Sequence, residues 1–338
     1  MRNIFWKPKN SFFLIFFLLW GVGAQAETYA GFGPFSHRVQ NPLYLQGVTL
    51  LPDRSQVLSA HILEVEWANA YSNIYERINQ SGFDYIADME LLRVGWRAHY
   101  GLGNGFEIGG EVPWFQTWGG FLDSFIQDYH NAFGFPNGGR QRVANDQFAF
   151  HVIQGGTTLY SFDSANWNLG DVSVFVKNQF MEEGEKMPAM ATRFVIKFPT
   201  GRRSQGFGSN NPGFGLGLAL EKTIQRFHFY LNANALLEEE NDRIASLENL
   251  VMFEGMLAGE FSISKHWSAL LQFLGSSPGL KGGVQHSWNS TPLDFIAGFR
   301  AEYQPWFGQI GFAEDLIGRG PSVDFTAWLA LGYRFEVP

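Results

Sequence analysis

The feature that most constrains the fold is a pair of alternating segments within residues 91–118. In residues 92–102 every second residue is apolar or small, and the residues between them are arginine, glycine or histidine. The alternation resumes in residues 106–114, after Gly103-Asn104-Gly105. A period of two residues is that of a β-strand, and glycine in a short loop permits the left-handed backbone that hairpins need. The segment therefore predicts a hairpin of two antiparallel strands.

The length of the predicted loop sets the register of this hairpin. A three-residue loop places Leu102 opposite the first residue after the loop, Phe106. Carried along the ladder, this register sets Arg97 opposite Glu111 on the polar face and pairs apolar residues on the other face, Trp96 with Val112 among them. Strands of about ten or more residues, apolar on one face and charged on the other, are typical of membrane-spanning β-barrels.

Residues 1–26 have the pattern of a secretory signal peptide. Three basic residues precede an apolar run over residues 12–22, and the small-residue motif Ala24-Gln25-Ala26 follows. The run is shorter than the roughly 20 residues that a spanning helix needs. We therefore expect the signal peptide to be cleaved and the mature chain to be exported.

Composition excludes several other classes of protein. The chain has no cysteine, which excludes disulfides, thiolate chemistry and a cysteine-linked lipid anchor. Its 24 basic residues face 32 acidic ones, a balance that argues against nucleic acid as a partner. After the signal, no stretch approaches 18 consecutive apolar residues, which excludes a bundle of membrane helices. A barrel of strands remains compatible with these observations.

Alternation recurs along the chain and predicts about 12 strands. They cover residues 57–71, 91–102, 106–118, 169–180, 189–199, 214–221, 227–235, 251–263, 267–273, 293–303, 307–313 and 323–335. Short turns near positions 103, 224, 265 and 305 each join an even-numbered strand to the next odd-numbered one, so they lie on one side, as the periplasmic turns of outer-membrane barrels do. The predicted fold is all-β, a transmembrane antiparallel up-and-down β-barrel spanning residues 56–335.

Four segments are predicted to lie outside the wall of this barrel. Residues 27–55 have no clean period, and we interpret them as a periplasmic lead-in, with insertion into the lumen as the alternative. Residues 72–84 are polar and predict the first outer loop. Residues 119–168 are too long for a plain connection and contain a hairpin pattern around Gln154-Gly155-Gly156, so we expect an extracellular excursion after strand three, serving as a lid. Residues 336–338 form a short C-terminal extension.

Barrel width decides which face meets the membrane. A soluble barrel has its apolar side inward, but 12 strands enclose more space than valine and leucine side chains can fill. The charged face should then surround a polar lumen. Its predicted charged residues are Arg93, Arg97, Glu107, Glu111, Arg193, Lys197, Glu221, Asp294, Arg300, Glu302 and Asp324. These residues fit either a conduit with rings of mixed charge or a plugged interior in which opposite charges pair.

Several short motifs between residues 40 and 335 also indicate a family. They are Gln40-Asn41-Pro42, Asp123-Ser124-Phe125-Ile126 with His130 and Gly138-Gly139-Arg140, Leu169-Gly170-Asp171, Pro199-Thr200-Gly201, Glu314-Asp315-Leu316 and Tyr333-Arg334-Phe335. On these motifs the chain resembles the domain-of-unknown-function 3187 family of bacterial outer-membrane β-barrel proteins. The resemblance implies an outer-membrane location and a barrel fold, and it implies no particular activity.

An enzyme that modifies outer-leaflet lipids is an alternative function. It would need a serine or threonine nucleophile beside a histidine. The candidate pairs are His130 with Asp128, His151 with Ser161 and His286 with Ser287, and none lies in a glycine-flanked elbow. The eight histidines are spread singly and cysteine is absent, so we expect no metal site and no cofactor.

The sequence therefore predicts an outer-membrane barrel that acts as a channel, a transporter or a surface-binding protein. A lipid-modifying enzyme and a purely structural barrel with a plugged lumen are the alternatives. The expected partners are outer-membrane lipid and lipopolysaccharide, the barrel-assembly machinery and a small solute.

Overall fold

A computed structural model describes residues 29–80, 82–134, 138–239, 249–280, 289–316, 321 and 323–338. The strands are β1 (Ile62–Gln80), β2 (Phe83–Gly103), β3 (Phe106–Trp118), β4 (Ala149–Gln154), β5 (Thr157–Ser161), β6 (Ala165–Leu169), β7 (Val172–Met181), β8 (Ala189–Phe198), β9 (Gly213–Ile224), β10 (Phe227–Glu238), β11 (Val251–Ser262), β12 (Trp267–Ser276), β13 (Leu293–Tyr303), β14 (Trp306–Asp315) and β15 (Phe325–Glu336). One α-helix, α1 (Asp123–Phe133), and short 3₁₀ turns at Tyr44–Gln46, Arg140–Arg142 and Arg203–Gln205 complete the described elements. Within these ranges no helix has the length and apolar character needed to cross a membrane.

Twelve of the strands close a barrel of antiparallel neighbours. Around the ring the order is β2, β1, β15, β14, β13, β12, β11, β10, β9, β8, β7 and β3, and the pairing of β3 with β2 completes it. The first and last strands pair from Ile62 opposite Glu336 to Asn73 opposite Phe325, so the ladder includes the first residue of the predicted C-terminal extension. Every wall strand has two neighbours, so the ring of 12 strands has no open edge. The prediction of an all-β, antiparallel, 12-stranded barrel is confirmed.

The hairpin of β2 and β3 has the predicted ladder but a different turn. Arg97 lies opposite Glu111, as predicted. Gly103, rather than Leu102, lies opposite Phe106, and Leu102 is the extra residue of a bulge. The reason is the Asn104-Gly105 pair, whose φ angles of 52° and 78° form a two-residue turn with both central residues left-handed. The bulge returns the strands to the predicted register.

The predicted outer loop at residues 72–84 is wrong, because β1 and β2 continue through it as one long hairpin. Beyond the end of β15, the two strands stay paired as far as Gln80 opposite Phe83. Inward side chains such as Ile74 and Ile78 are buried there, whereas Arg77 and Asn79 point outward and are exposed. The outward polar residues concealed the alternation from the sequence analysis.

Residues 119–171, between the third and fourth wall strands, hold α1, the β4–β5 hairpin and β6. The hairpin turns at Gly155 and Gly156, and β4 pairs with the outer part of β2, so the hairpin extends the wall rather than standing apart from it. Its aromatic side chains join a hydrophobic cluster at this end of the barrel. The cluster, called here the cap core, includes Leu43, Leu45, Ile74, Ile78, Phe83, Tyr85, Phe115, Phe150, Val152, Tyr160, Phe162 and Phe207.

The end of the barrel opposite the cap core carries tight turns at residues 104–105, 225–226, 263–266 and 304–305, and we call it the turn end. Residues 29–58, called the plug, run inside the barrel between the two ends. The backbone N–H of Gly33 donates to the Tyr230 hydroxyl (3.2 Å), and the N–H of Leu58 donates to Glu107 (2.8 Å).

Residues 29–55 are therefore not a periplasmic lead-in, and the alternative of insertion into the lumen describes them correctly. Much of the plug lacks regular secondary structure, so its backbone polar groups find partners on the charged inner wall instead of in a ladder. Its middle residues reach the cap core, where Leu43 and Leu45 are buried. The plug thus forms a loop that rises from the turn end and returns to it.

The outer face of the wall is apolar, and the polar and charged side chains lie on the inner face, as β10 illustrates. Phe229 and Leu231 are 45% and 43% exposed, whereas the intervening His228, Tyr230 and Asn232 are buried. The inner face also holds an apolar cluster around Phe35 that includes Ile296 and Trp328. Large exposed apolar side chains recur around the wall, including Trp96, Trp114, Val176, Phe194, Leu216, Phe253, Leu271, Phe299, Ile310 and Leu331. Twelve strands with this pattern present hydrocarbon to the outside, so the outer face is the lipid-facing one.

We predict a depth-dependent cost for charge on this face. Leu231→Arg, near the middle of β10, should lower the free energy of unfolding by about 2–4 kcal/mol, because the guanidinium would enter the hydrocarbon core. Leu237→Arg, near the cap end of the same strand, should cost at most about 1 kcal/mol. Urea titration of the protein folded into lipid vesicles measures both values. Equal losses at the two positions would contradict the assignment of the lipid-facing side.

Candidate functional site

The sequence-predicted charged residues lie inside the barrel, with one exception. Those that project between wall and plug are Arg93, Arg97, Glu107, Glu111, Arg193, Lys197, Glu221, Asp294, Arg300 and Glu302. Asp324 instead lies at the cap-end rim, where its Oδ2 is 3.9 Å from Nη2 of Arg140 in the excursion. Burial raises the pKa of Asp324 above its ordinary value and outweighs the opposite effect of Arg140.

Arg97 is the centre of one ion-pair network in the interior. Its Nη1 lies 2.8 Å from Oε1 of Glu66 on β1, and its Nε lies 3.2 Å from Oε1 of Glu111 on β3. Arg93 also pairs with Glu111. Nη2 of Arg97 donates to the backbone oxygen of Ser36 at 3.0 Å. The network therefore joins three wall strands to the plug.

A second network surrounds Lys177 on β7. Its Nζ lies 2.9 Å from Oδ2 of Asp53 in the plug and 3.1 Å from Oε1 of Glu107 on the wall. His99 Nδ1 also lies 3.0 Å from Oε1 of Glu107. Ligand atoms of Asp53, His99 and Glu107 are close enough to one another to hold a metal ion. Because the Lys177 ammonium contacts both carboxylates, it supplies the positive charge that a metal ion would bring.

A third network holds the returning arm of the plug near the cap end. Nζ of Lys197 donates to the backbone oxygen of Gln46 at 2.7 Å and lies 3.2 Å from carboxylate oxygens of both Asp171 and Glu238. On the same arm, Arg54 donates to Glu221 on β9. The plug is therefore fixed along its length by charged groups of the wall.

Plug and wall together enclose a cavity of about 360 Å³. The plug contributes Arg38, Asp53 and Arg54 to its lining, and the wall contributes charged residues such as Arg193 and Lys177. The volume lies in the range typical of small-molecule sites. It is therefore the strongest candidate for a binding site in the part of the chain that the structure describes.

The sequence analysis did not identify the plug residues that line this cavity. Arg38, Asp53 and Arg54 belong to a segment with no period, so no pattern assigned them to a face. Lys177 could have been found, because it lies on the polar side of an alternating segment with Asp171 and Ser173. Contacts between plug and wall carry no sequence signal.

The candidate catalytic pairs do not form an activated nucleophile in the described residues. His151 Nε2 lies 3.1 Å from Oδ2 of Asp84, so the imidazole bonds to a carboxylate on β2, and Ser161 is the register partner of His151 in the β4–β5 ladder. His130 is buried on α1. The remaining pair, at positions 286 and 287, lies outside the described residues.

One histidine–serine contact not anticipated from the sequence occurs inside the wall. His228 Nε2 lies 2.9 Å from the Ser262 hydroxyl, and its Nδ1 lies 3.1 Å from Thr223 Oγ1. Both His228 and Ser262 are fully buried, and the third group is a hydroxyl rather than a carboxylate. This arrangement differs from a catalytic triad, whose histidine is oriented by a carboxylate.

Comparison with known proteins gives a family and a fold. The sequence model of a family described as "Protein of unknown function (DUF3187)" matches residues 13–335. Comparison with curated proteins gives no match. The structure is similar to that of the COG4313 outer membrane channel from Pseudomonas putida F1, with a TM-score of 0.56 and 13% identity, covering 85% of this chain and 100% of that one.

Two porin structures are more distantly similar. The NanC porin gives a TM-score of 0.45 at 9% identity, covering 81% of this chain and 100% of that one. The KdgM porin in complex with disordered oligogalacturonate gives 0.42 at 7% identity, covering 81% and 99%. Of these three similarities, the one to the COG4313 channel establishes the outer-membrane barrel fold.

We predict that Arg97 and Glu111 are energetically coupled. Arg97→Gln and Glu111→Gln should each lower the free energy of unfolding by about 3–5 kcal/mol, because each leaves a buried charge without its partner. The double variant should lose less than the sum, with a coupling of about 0.5–3 kcal/mol. Urea titrations in lipid vesicles measure the cycle.

A non-contacting pair provides the control for this cycle. Arg334 pairs with Glu64 and Glu302 and shares no partner with Glu111. The losses from Arg334→Gln and Glu111→Gln should therefore add to within about 0.5 kcal/mol. Additive losses for Arg97 and Glu111 as well would show that their contact does not stabilise the barrel.

Proposed function

This chain belongs to the DUF3187 family, and on that premise we propose that it is an outer-membrane channel for a small polar solute, gated by its own plug. The observation that carries the proposal is the way in which the lumen is filled. The plug meets the wall through ion pairs and hydrogen bonds, including those of Arg54, Asp53 and Gln46, as well as through buried apolar side chains such as Phe35 and Leu50. Water can replace the polar contacts, since a hydrogen bond contributes only about 0.5–1.5 kcal/mol net.

The wall does not depend on the plug for closure. Its ring is completed by the backbone ladders between β1 and β15 and between β2 and β3. A barrel of this width encloses more space than its own inward side chains occupy. Withdrawal of the plug would therefore leave a continuous polar pathway inside an intact barrel.

Both ends of the plug lie at the turn end. Its first described residues contact the start of β10, where an ideal Cβ at Gly31 would meet the Tyr230 hydroxyl. Its last residues lead to His61, whose N–H donates to the Gly101 carbonyl beside the β2–β3 turn. A loop with both ends on one side can leave the lumen without threading the chain, so gating requires no change in topology.

The cellular setting completes the proposal. We propose that residues 1–26 are a cleaved export signal, that the barrel-assembly machinery inserts the chain, and that the turn end faces the periplasm. On the excursion, Phe121 is exposed beside Tyr71, which also contacts Trp118, and Phe125 is exposed and stacks with Tyr129. We propose that these rings contact outer-leaflet lipid, lipopolysaccharide included, and that the protein carries out no lipid chemistry.

A structural barrel with a permanently filled lumen is the second candidate. The dense interior ion pairs, such as those of Arg97 and Lys177, favour it, because buried pairs satisfy one another without any transport role. The two candidates differ in whether the plug leaves the lumen.

A disulfide between plug and wall tests this difference. The chain has no cysteine, so Val48→Cys with Gly213→Cys creates a single pair. An ideal Cβ at Gly213 lies 2.8 Å from Cβ of Val48, so a shift of about 1 Å reaches the usual disulfide separation. We expect conductance across planar bilayers when the pair is reduced, at least a tenfold lower open probability when it is oxidised, and recovery on reduction.

The two single-cysteine variants provide the control and should conduct equally under both conditions. Conductance that oxidation leaves unchanged would mean that the pathway does not pass through the plug. Absence of conductance from the reduced and wild-type proteins would favour the structural barrel.

A further inference from the structure

Arg193 is a buried guanidinium group that lacks a carboxylate partner in the described ranges. It lies on the inner face of β8 and is 2% exposed. Its Nη1 donates to the backbone oxygen of Leu51 (2.7 Å) and its Nη2 to Oδ1 of Asn234 (3.0 Å), while its Nε has no hydrogen-bond partner. Among the described residues, no carboxylate lies within ion-pair distance of it. Its side chain lines the cavity between plug and wall.

Arg38, in the plug, lines the same cavity and is in a similar position. Its Nη2 donates to the backbone oxygens of Tyr44 (2.7 Å) and Gly47 (3.0 Å). It too has no carboxylate within ion-pair distance in the described part of the chain. Carboxylates at greater distance attract both groups. Asp53 and Glu254 attract Arg193, and Glu254, Glu111, Glu238 and Asp171 attract Arg38. The Glu254 carboxylate itself accepts a hydrogen bond from the Thr49 hydroxyl.

The other charges that line the cavity are paired. Every lining carboxylate has a cationic partner within 4.0 Å, and these carboxylates are Asp53, Glu64, Glu66, Glu107, Glu111, Asp171 and Glu302. Arg38 and Arg193 are therefore the groups in the lining whose positive charge lacks a direct partner. A buried charge without a partner costs several kcal/mol, so an anion in the cavity would relieve it.

We propose that this cavity binds a small carboxylate-bearing solute through Arg38 and Arg193. A planar guanidinium donates two parallel hydrogen bonds to a carboxylate, which gives both strength and orientation. The cavity, at about 360 Å³, has room for a molecule with a few carbon atoms and a carboxylate at one or both ends. The inference deepens the proposed function, on which its role in transport rests, by naming the class of solute.

The same contacts connect the solute to the gate. Arg38 holds the turn of the plug near the cap end through Tyr44 and Gly47, and Arg193 holds the returning arm through Leu51. A carboxylate held by both arginines joins the plug, through Arg38, to the wall, through Arg193. Because this site exists only while the plug is in place, binding favours the closed channel.

Calorimetric titration of the full chain in detergent tests the binding site. Succinate is the probe, and succinamide is the neutral control with nearly the same shape. We expect succinate to bind and succinamide not to bind. Arg193→Gln and Arg38→Gln should each weaken succinate binding at least tenfold, and Arg193→Lys, which keeps the charge but loses the planar donor pair, should give an intermediate affinity.

Arg77→Gln is the matched control. Arg77 is exposed on the outer side of β1, and its substitution changes the net charge by the same amount as Arg193→Gln does. It should bind succinate as the wild type does. The gel-mobility shift on boiling identifies variants that have folded, and Arg38→Gln, which alters the plug alone, provides the test if Arg193→Gln does not fold. Equal binding of succinate and succinamide, or unchanged affinity in both arginine variants, would overturn the proposal.

Conductance measurements separate this inference from the proposed function. Succinate should lower the open probability of the wild-type protein about tenfold, because its site exists only while the plug is in place, and should have no such effect on Arg193→Gln. If the disulfide between positions 48 and 213 closes the channel but succinate neither binds to it nor closes it, the proposed channel is supported and the carboxylate site is contradicted. If succinate binds through the two arginines but no conductance occurs, the carboxylate site is supported and the proposed channel is contradicted.

Discussion

The width of a 12-stranded barrel is the constraint on which the other features depend. The wall is held by continuous backbone ladders, and its alternating side chains direct hydrocarbon outward and charge inward. Inward side chains alone leave a gap along the axis of such a barrel. This chain fills the gap with its own residues 29–58, and that choice determines how its interior charges are arranged.

The arrangement of charge inside the barrel also follows from the barrel's width and from the plug that fills it. Lysine and arginine side chains reach from the wall to the plug as well as to neighbouring strands, so Lys177 binds Asp53 and Lys197 binds the Gln46 carbonyl. Pairing of these buried groups offsets the cost of removing their charge from water. The pairing is complete for the carboxylates that line the cavity but leaves out Arg38 and Arg193. These two arginines without a direct partner distinguish a candidate binding site from a lumen that is merely filled by the plug.

The sequence predicted the wall well because alternation is a local signal. The pairing of Arg97 with Glu111 followed from the pattern of one hairpin, and the same pattern placed Arg193, Lys197 and Glu221 inside. Local exceptions caused the errors. The Asn104-Gly105 turn replaced the three-residue loop, and outward polar residues such as Arg77 made the extended part of the first hairpin resemble a loop.

The sequence by itself determined the strands, their two faces, their number and thus the barrel, because a strand assigns each side chain to a face by its position alone. Only the tertiary structure decided what occupies the lumen. The plug has no periodicity, and its partners lie far away in sequence: Phe32 bonds to Glu260 across 228 positions, and Gln46 bonds to Lys197 across 151. Such contacts exist only once the closed wall has brought its inner face around the segment, so no local pattern encodes them.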